Sequence, residues 1–307
     1  MDDVGFERLI LNICYLVVTY NPNFEKLSIL IGNLIESGGR VVIVNNGKSF
    51  SLEKINLSDN DSIEIFSLIK NEGIAKAQNI GIERAKILGC EYVVFFDQDS
   101  SLDNSFIKNL ISDYNYMKNK NYKIAAVGPR FLDENKGFYF PALKFNSFGL
   151  IDKISVENIQ EPIEVSFLIS SGTLVSVAAL EEIGNMKEEF FIDYVDTEWC
   201  FRALSKGYKL YMSEKAVMRH SVGDDTIKLL NFKIPVHSGY RRYYRVRNLF
   251  FMWKMPYIPK ILTSKLMITN FAIQILLFLL KDKKIDYIKY YFKAIKDGIN
   301  QSRDYHV

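Results

Sequence analysis

Short apolar runs alternate with amphipathic stretches through the first 130 residues of the chain. Ile13 to Val18 is an unbroken apolar run and reads as a buried strand. From Phe24 to Glu36, the residues Phe24, Leu27, Leu30, Ile31, Leu34 and Ile35 recur at helical spacing, and Gly38-Gly39 ends the helix. Val41 to Val44 is a second strand that closes on Asn45-Asn46-Gly47, and Ser62 to Leu68 is a third. A helix over Gly73 to Leu88 stops at Gly89, and Tyr92 to Phe96 is the fourth strand. Next come a helix over Asp103 to Met117, with Asp103 as its expected N-cap, and a fifth strand at Ile124 to Val127. This alternation predicts an α/β fold with a doubly wound, mostly parallel sheet and helices on both faces.

The pattern changes after Pro129. Residues 130–170 hold aromatics, glycines and short apolar runs without a clean period. Ser171-Gly172-Thr173 then precedes an apolar run and a helix over Ala178 to Ile183. A helix over Asp193 to Ser205 is closed by Gly207, and Tyr208 to Met212 is a short strand. Residues 1–254 are read as one domain, with halves over about 10–128 and 129–254.

Residues 255–307 form a C-terminal extension of another character. Leu266 to Leu280 is almost wholly apolar, broken by Thr269, Asn270 and Gln274 and bracketed by Lys265 and Lys281. That span is shorter than the roughly 20 residues of a bilayer crossing. Lys281 to Lys296 sets Ile285, Ile288, Phe292 and Ile295 on one face with lysines elsewhere, and residues 255–307 carry nine Lys or Arg against four Asp. A basic amphipathic extension suits a membrane surface; a lid on the domain or a contact with a partner subunit would share the pattern.

Composition narrows the field. Of 307 residues 48% are hydrophobic and 24% charged, ordinary for a globular protein. A net charge of +3, with no nucleic-acid module, gives no case for nucleic-acid binding. Cys14, Cys90 and Cys200 are odd in number, widely spaced and without zinc spacing, which fits a reducing compartment. Met1 to Leu9 carries Asp2, Asp3 and Glu7, where a signal peptide needs a basic start, so a cytoplasmic location is expected.

Candidate chemistry gathers at strand ends. Val93-Val94-Phe95-Phe96-Asp97-Gln98-Asp99 is a buried strand that stops at two carboxylates one residue apart. Ligands of open α/β sheets bind outside the carboxyl ends of strands, and a hard cation such as Mg²⁺ takes one or two carboxylates plus substrate phosphates. A surface turn would hold the same acids. Four more stretches accompany this one: Val17-Val18-Thr19-Tyr20-Asn21-Pro22, Asn45-Asn46-Gly47, Asn71 to Gly81 (with Gly73, Ala75 and Ala77), and Asp193 to Arg202 (with Asp196 and Glu198).

In order and spacing these five stretches resemble the family-2 inverting glycosyltransferases of GT-A fold, over about residues 12–250. Arg219-His220-Ser221-Val222-Gly223-Asp224-Asp225 and Tyr240 to Asn248, which holds Arg241, Arg242, Arg245 and Arg247, look like the bacterial dTDP-rhamnosyltransferase branch. The resemblance implies an enzyme that moves L-rhamnose from dTDP-rhamnose onto a lipid-linked saccharide in cell-surface polysaccharide synthesis. It would use a divalent cation, Mg²⁺ or Mn²⁺, at the inner face of the cell membrane, with a homo-oligomer left open. A UDP-dependent galactofuranosyl- or hexosyltransferase shares most of these features. A sugar nucleotidyltransferase would carry a Gly-rich, Arg-containing loop where Thr19-Tyr20-Asn21-Pro22 stands. A non-catalytic membrane scaffold is the remaining alternative.

The resemblance also implies roles. The first half becomes the nucleotide-binding half and the second the acceptor half. Thr19, Tyr20 and Asn21 would meet the nucleoside, and Asn45 stands where the family usually has a base-binding Asp. An amide there can accept and donate, while the competing reading of Asn45 is a plain turn. Asn71, Gly73 and Ala77 would wall the donor nucleotide, though small residues also serve close helix–sheet packing. Asp99 would bind the metal directly, with Asp97 reaching metal water or ribose and His220 approaching the metal or diphosphate. Asp196 would be the general base, with Asp193 as its competitor and a helix N-cap as its structural alternative. Arg202 lies one turn beyond Glu198, spaced for an ion pair, and Arg202 and Arg247 are carried as donor contacts because guanidinium forks suit diphosphate oxygens. The arginine cluster would equally suit anionic lipid head groups.

Overall fold

A computed structural model of the chain describes residues 12–55, 61–133, 136–146, 150–220, 226–229, 232–235, 238–280 and 284–303, with the backbone alone at 220, 226–229 and 232–235. The acidic N-terminal stretch, Ser221 to Asp225 and Lys281 lie outside these residues.

β1 (Ile13–Thr19) pairs in parallel with β2 (Arg40–Asn45) and β4 (Tyr92–Asp97), and β3 (Ile63–Ser67) extends the sheet beside β2. Thr19 lies level with Asn45, and Val18 with Asp97, so three polar strand ends reach one edge of the sheet. The strands read as apolar runs because both faces are covered. Ile13, Tyr15 and Val17 pack with α1 (Phe24–Glu36) and α3 (Phe106–Lys118) on one face. Cys14 and Leu16 pack with α2 (Ile74–Ile87), α4 (Val177–Ile183) and α5 (Val195–Ser205) on the other. The doubly wound layering expected from the sequence is present. The three cysteines are buried and free.

α2 lies very close to the sheet. A Cβ on Gly81 would come 2.0 Å from Leu16 Cδ1, and Ala77 is fully buried in that same core. Ala77, expected to wall the donor nucleotide, therefore serves helix–sheet packing. α3 starts three residues later than expected. Ser105 takes the N-cap position, and Asp103 contributes only its carbonyl, which accepts from the Phe106 amide at 2.9 Å.

The second half adds antiparallel members that the sequence pattern did not reveal. β10 (Leu174–Ser176) runs antiparallel between β4 and β5 (Ile124–Asp133). β11 (Lys209–His220) runs parallel to β5, and β9 (Ile163–Val165) pairs antiparallel to β11. β6 (Phe138–Tyr139) pairs with β5, completing nine strands. β7 (Ala142–Phe145) and β8 (Ile151–Ile154) form a separate hairpin, as do β12 (Thr226–Leu229) and β13 (Phe232–Pro235). β5 continues through Pro129 because the β11 register shifts between Met212 and Val217, opposite the residue that lacks an amide donor.

The C-terminal part is helical: α6 (Gly239–Lys254), α7 (Lys260–Leu280) and α8 (Lys284–Arg303). Met255, Ile258 and Leu262 belong to the main core, and the Tyr257 hydroxyl donates to Glu198 Oε1 at 2.6 Å. The start of the extension is thus built into the domain. α7 is longer than the apolar run alone, with 21 residues, and is long and apolar enough to cross a membrane by length and composition. Its polarity is inverted: Thr263, Asn270 and Gln274 are buried, while Ile268, Phe271 and Leu279 are more than half exposed. The buried amides have partners inside. Asn270 Oδ1 accepts from Arg242 at 2.9 Å, and Gln274 Nε2 donates to the Tyr287 carbonyl at 2.8 Å.

Candidate active site

A cavity of about 660 Å³ opens at the carboxyl ends of β1, β2 and β4. Loop 190–194 and the start of α6 complete its wall, and Thr19, Tyr20, Asn71, Gly73, Asp97, Asp99 and Asp196 all line it. The strand order places it where such sheets bind ligands.

The two carboxylates of the fourth strand's end, Asp97 and Asp99, are both exposed at this cavity. Ser171 supports the turn: its Oγ accepts the Asp97 amide at 3.3 Å and lies 3.0 Å from Ser100 Oγ. Gln98, between the acids, ties β4 to β1. Its Oε1 accepts from the Tyr20 amide at 2.7 Å, and its Nε2 donates to the Tyr20 carbonyl at 3.4 Å. Gln98 thereby fixes the two turns against each other.

Asn45 does not reach the cavity. It is fully buried: its Oδ1 accepts from Thr19 Oγ1 at 3.2 Å and from the Gly47 amide at 3.2 Å, and its Nδ2 donates to the Lys48 carbonyl at 2.8 Å. Those bonds hold the turn, which is the competing reading of Asn45. The next residue takes the wall position. Asn46 lines the cavity, donates to Asn71 Oδ1 at 2.9 Å and accepts the Glu72 amide at 2.8 Å. Strand alternation offered the signal, since adjacent residues at a strand end face opposite ways. Gln78, one turn into α2, is a second wall residue that the sequence reading passed over. Asn21 is exposed and sits against Gly47, outside the lining.

Loop 190–194 has an unusual backbone. The Ile192 amide donates to the Phe190 carbonyl at 2.7 Å across Phe191, whose φ of 62° and ψ of −63° define the rarer, strained γ-turn. Asp193 and Tyr194 also have positive φ, 64° and 63°. Conformations of this kind cost about 1–3 kcal/mol each and persist only where the surroundings impose them. Gly73 makes one of those surroundings. Its φ is +87°, and a Cβ there would come 2.6 Å from the Phe191 carbonyl oxygen. That oxygen accepts from the Ile74 amide at 2.7 Å and so caps α2. The need for glycine at 73 is thus set by the loop.

The loop delivers two acids. Asp193 is paired: its carboxylate lies 3.3 Å from Arg241 at Nε and Nη2, and 3.5 Å from Arg245 Nη1. Asp196, in the first turn of α5, is half-buried in the cavity wall. Its Oδ1 accepts the Thr197 amide at 2.8 Å. It is not the N-cap; Tyr194 occupies that position. Burial holds the Asp196 carboxyl above the ordinary carboxylate value, and the negative charges of Asp193 and Asp97 push it further the same way. Backbone donors from Thr197 and Ser170 oppose this only in part. The result is a carboxylate of enhanced basicity beside a cation-suited acid pair.

Two expected donor contacts are engaged elsewhere. Arg202 pairs with buried Glu198 at 2.8 Å and donates to the carbonyls of Ile183, Gly184 and Asn185. The predicted ion pair forms, but Arg202 does not line the cavity. Arg247 is buried and donates to the Glu189 and Phe190 carbonyls and to Asn248 Oδ1. Among the described residues Arg241 is the arginine that lines the cavity. His220 ends β11, and its side chain lies outside the described residues.

The donor set at the β4 end is two carboxylates, an oxygen-only pair that fits a hard divalent cation whose remaining positions are filled by phosphate and water. Among the described residues no third His, Cys, Asp or Glu completes a cluster.

Comparison with known proteins agrees with this architecture. Residues 14–184 match the family model described as "Glycosyl transferase family 2". The chain is 43% identical over 94% of its length, and 95% of the relative's, to "dTDP-rhamnosyl transferase RfbF" of Shigella flexneri. It is 24% identical over 80% of its length, and 78% of the relative's, to "Low-salt glycan biosynthesis hexosyltransferase Agl10" of Haloferax volcanii. Among solved structures, S. aureus TarS 1–349 in complex with UDP-GlcNAc aligns at a TM-score of 0.55 and 16% identity, over 94% of this chain and 81% of that one. GalNAc-T7 with UDP, GalNAc and Mn²⁺ aligns at 0.57 and 14%, over 92% of this chain and 58% of that one. The nucleotidyltransferase and scaffold readings fall away, and the chain belongs to glycosyl transferase family 2, with the GT-A fold.

Proposed function

We propose that this enzyme transfers L-rhamnose from dTDP-rhamnose, with inversion, to a hydroxyl of a lipid-linked saccharide. The observation that carries the reading is one cavity holding the Asp97–Asp99 pair and the basic Asp196 carboxylate together. The choice of donor is supported by the 43% identity to a dTDP-rhamnosyl transferase. The backbone at Thr19 and Tyr20, with Asn46 and Asn71, holds the nucleoside, and Asp97 and Asp99 hold a divalent cation. That cation, when bound, neutralises charge on the leaving diphosphate. Asp196 accepts the proton of the acceptor hydroxyl. The acceptor oxygen then bonds to the anomeric carbon as the bond to the diphosphate breaks, and the nucleoside diphosphate leaves.

A hexose or galactofuranose carried on UDP is the competing donor; the match to a hexosyltransferase supports a hexose. The purified enzyme is expected to be protected against heat by dTDP-rhamnose with Mg²⁺ or Mn²⁺, and to release dTDP when a saccharide acceptor is added. Equal or greater protection by UDP-hexoses, with turnover, would assign the UDP donor instead.

The same reading places the enzyme at the inner membrane surface. α7 turns its amides inward and leaves Ile268, Phe271 and Leu279 outward, and α8 exposes Ile285 and Phe292. Lys265, Lys284 and Lys289 are exposed on the same two helices, a composition suited to an interface with anionic head groups. The full chain is expected to float with anionic vesicles at low salt and to bind less as ionic strength rises. Failure to float at low salt would leave α7 and α8 as a lid or an oligomer contact.

A further inference from the structure

The strained backbone of loop 190–194 is held by α2 at the Phe191 carbonyl and by α6 and α7 at the residues on either side. Asn248 of α6 is fully buried, and the two hydrogens of its Nδ2 are shared among three carbonyls of that loop, Phe190 at 2.8 Å, Ile192 at 2.9 Å and Asp193 at 3.0 Å. Its amide cannot turn over, because Oδ1 accepts from Arg247 Nε at 3.1 Å and Nη2 at 2.8 Å. Arg247 itself reaches round to the carbonyls of Glu189 and Phe190. Further along, Asn270 of α7 approaches the Tyr194 hydroxyl at 3.4 Å and is itself held by buried Arg242. These contacts bear on the three residues whose φ is positive, or on their immediate neighbours.

A γ-turn followed by two left-handed residues is not a conformation that Phe191, Ile192, Asp193 and Tyr194 would adopt unaided. Carbonyls bent out of regular structure need donors, and Asn248 supplies one to Ile192 and Asp193 and adds to the Ile192 amide at Phe190. The loop then enters α5 at Val195, so its path sets where Asp196 stands and how deeply it is buried.

We propose that Asn248 is a positioning residue of the transfer reaction, holding the 190–194 backbone so that Asp196 meets the acceptor hydroxyl. The inference rests on the reading of Asp196 as general base. Asn248 acts through the loop and touches neither donor nor acceptor. The loop meets the donor wall at Gly73, but the groups that hold the nucleoside are fixed by bonds Asn248 does not make, Tyr20 by Gln98 and Asn71 by Asn46, so loosening the loop is expected to act on turnover more than on nucleotide binding.

Asn248→Asp tests this. It keeps the side chain's shape beside Arg247 and removes the N–H donors. The expected result is a fall in kcat of at least tenfold, with the dissociation constant for dTDP within about threefold of native. The acid limb of the kcat–pH profile is expected to shift towards the ordinary carboxylate range. Asp193 from the loop and Asp97 from β4 face Asp196, Cys200 lies one turn along α5, and Arg241 and Arg245 reach the area through Asp193. A relaxed loop solvates Asp196 and moves it away from this set.

If Asn248→Asp does not fold, Arg247→Lys serves. It keeps the charge and stem but loses the fork onto the loop carbonyls and Asn248, and the same split is expected. Native kcat and pH profile in the folded variant would overturn the proposal, as would losses of kcat and dTDP binding in equal measure. Asp196→Asn is measured alongside. If that variant is active, the reading of the base has failed; if it is inactive while Asn248→Asp turns over normally, only the positioning role has failed.

Discussion

Asp196→Asn is expected to bind dTDP-rhamnose nearly as native enzyme does and to turn it over at least about 10²-fold more slowly, the contribution of a positioned general base. Asparagine keeps the size and accepts the same Thr197 amide, so the wall of the cavity survives. What is lost is the capacity to take a proton. The native enzyme should show an acid limb in kcat above the ordinary carboxylate range, because burial, Asp193 and Asp97 all disfavour the charged form of Asp196. The same shift predicts a stability change of opposite sense. A carboxyl whose folded pKa is raised contributes most below its unfolded pKa, and that contribution is lost as pH rises through the folded value. Asp196→Asn should therefore melt higher than native protein at neutral pH, and the difference should close in acid. Asp193→Asn is the control. Its carboxylate is occupied by Arg241 and Arg245, so it should lose activity through a loosened loop. A dead Asp193→Asn beside an active Asp196→Asn would move the base to Asp193.

Asp99→Ala is expected to abolish the metal dependence of nucleotide binding and to lower transfer by on the order of 10²-fold or more, the scale of losing one electrostatic contact to developing charge. The carboxylate is exposed at the end of β4, so its removal leaves no cavity in the core, and folding should be intact. Calorimetric titration with dTDP, with and without Mg²⁺ or Mn²⁺, is the direct reading. Native protein should bind dTDP more tightly with metal, and Asp99→Ala should bind it alike in both conditions. Metal-enhanced binding retained in the variant would place the cation elsewhere. Asp97→Ala has a wider consequence, since Asp97 also contributes to the raised basicity of Asp196.

The parallel half was legible because each strand is covered on both faces and each helix carries one apolar stripe. That left the runs at Ile13, Val41 and Tyr92 unmistakable, and with them the strand ends that hold Thr19, Asp97 and Asp99. The antiparallel β9 and β10 span only three residues each, too short for any period to register. Position in the motif points to Asn45 but does not say which way a strand-end side chain turns, and Asn46 is the one that meets the cavity. Arg202 and Arg247 carried the right chemistry for diphosphate, but their forks are spent on carbonyls left unpaired by irregular loops, a demand visible only in three dimensions. The inverted polarity of α7 was also hidden. Asn270 and Gln274 read as interruptions of an apolar run, yet they form its buried seam.

A single displacement at the anomeric carbon, driven by one carboxylate in one cavity, must invert that carbon. Proton NMR of the product formed by the purified full-length enzyme from dTDP-rhamnose and a saccharide acceptor measures it. The predicted product carries rhamnose in the anomeric configuration opposite to that of the donor, with one dTDP released per linkage formed. A product that keeps the donor's configuration would rule out single displacement with Asp196 as base.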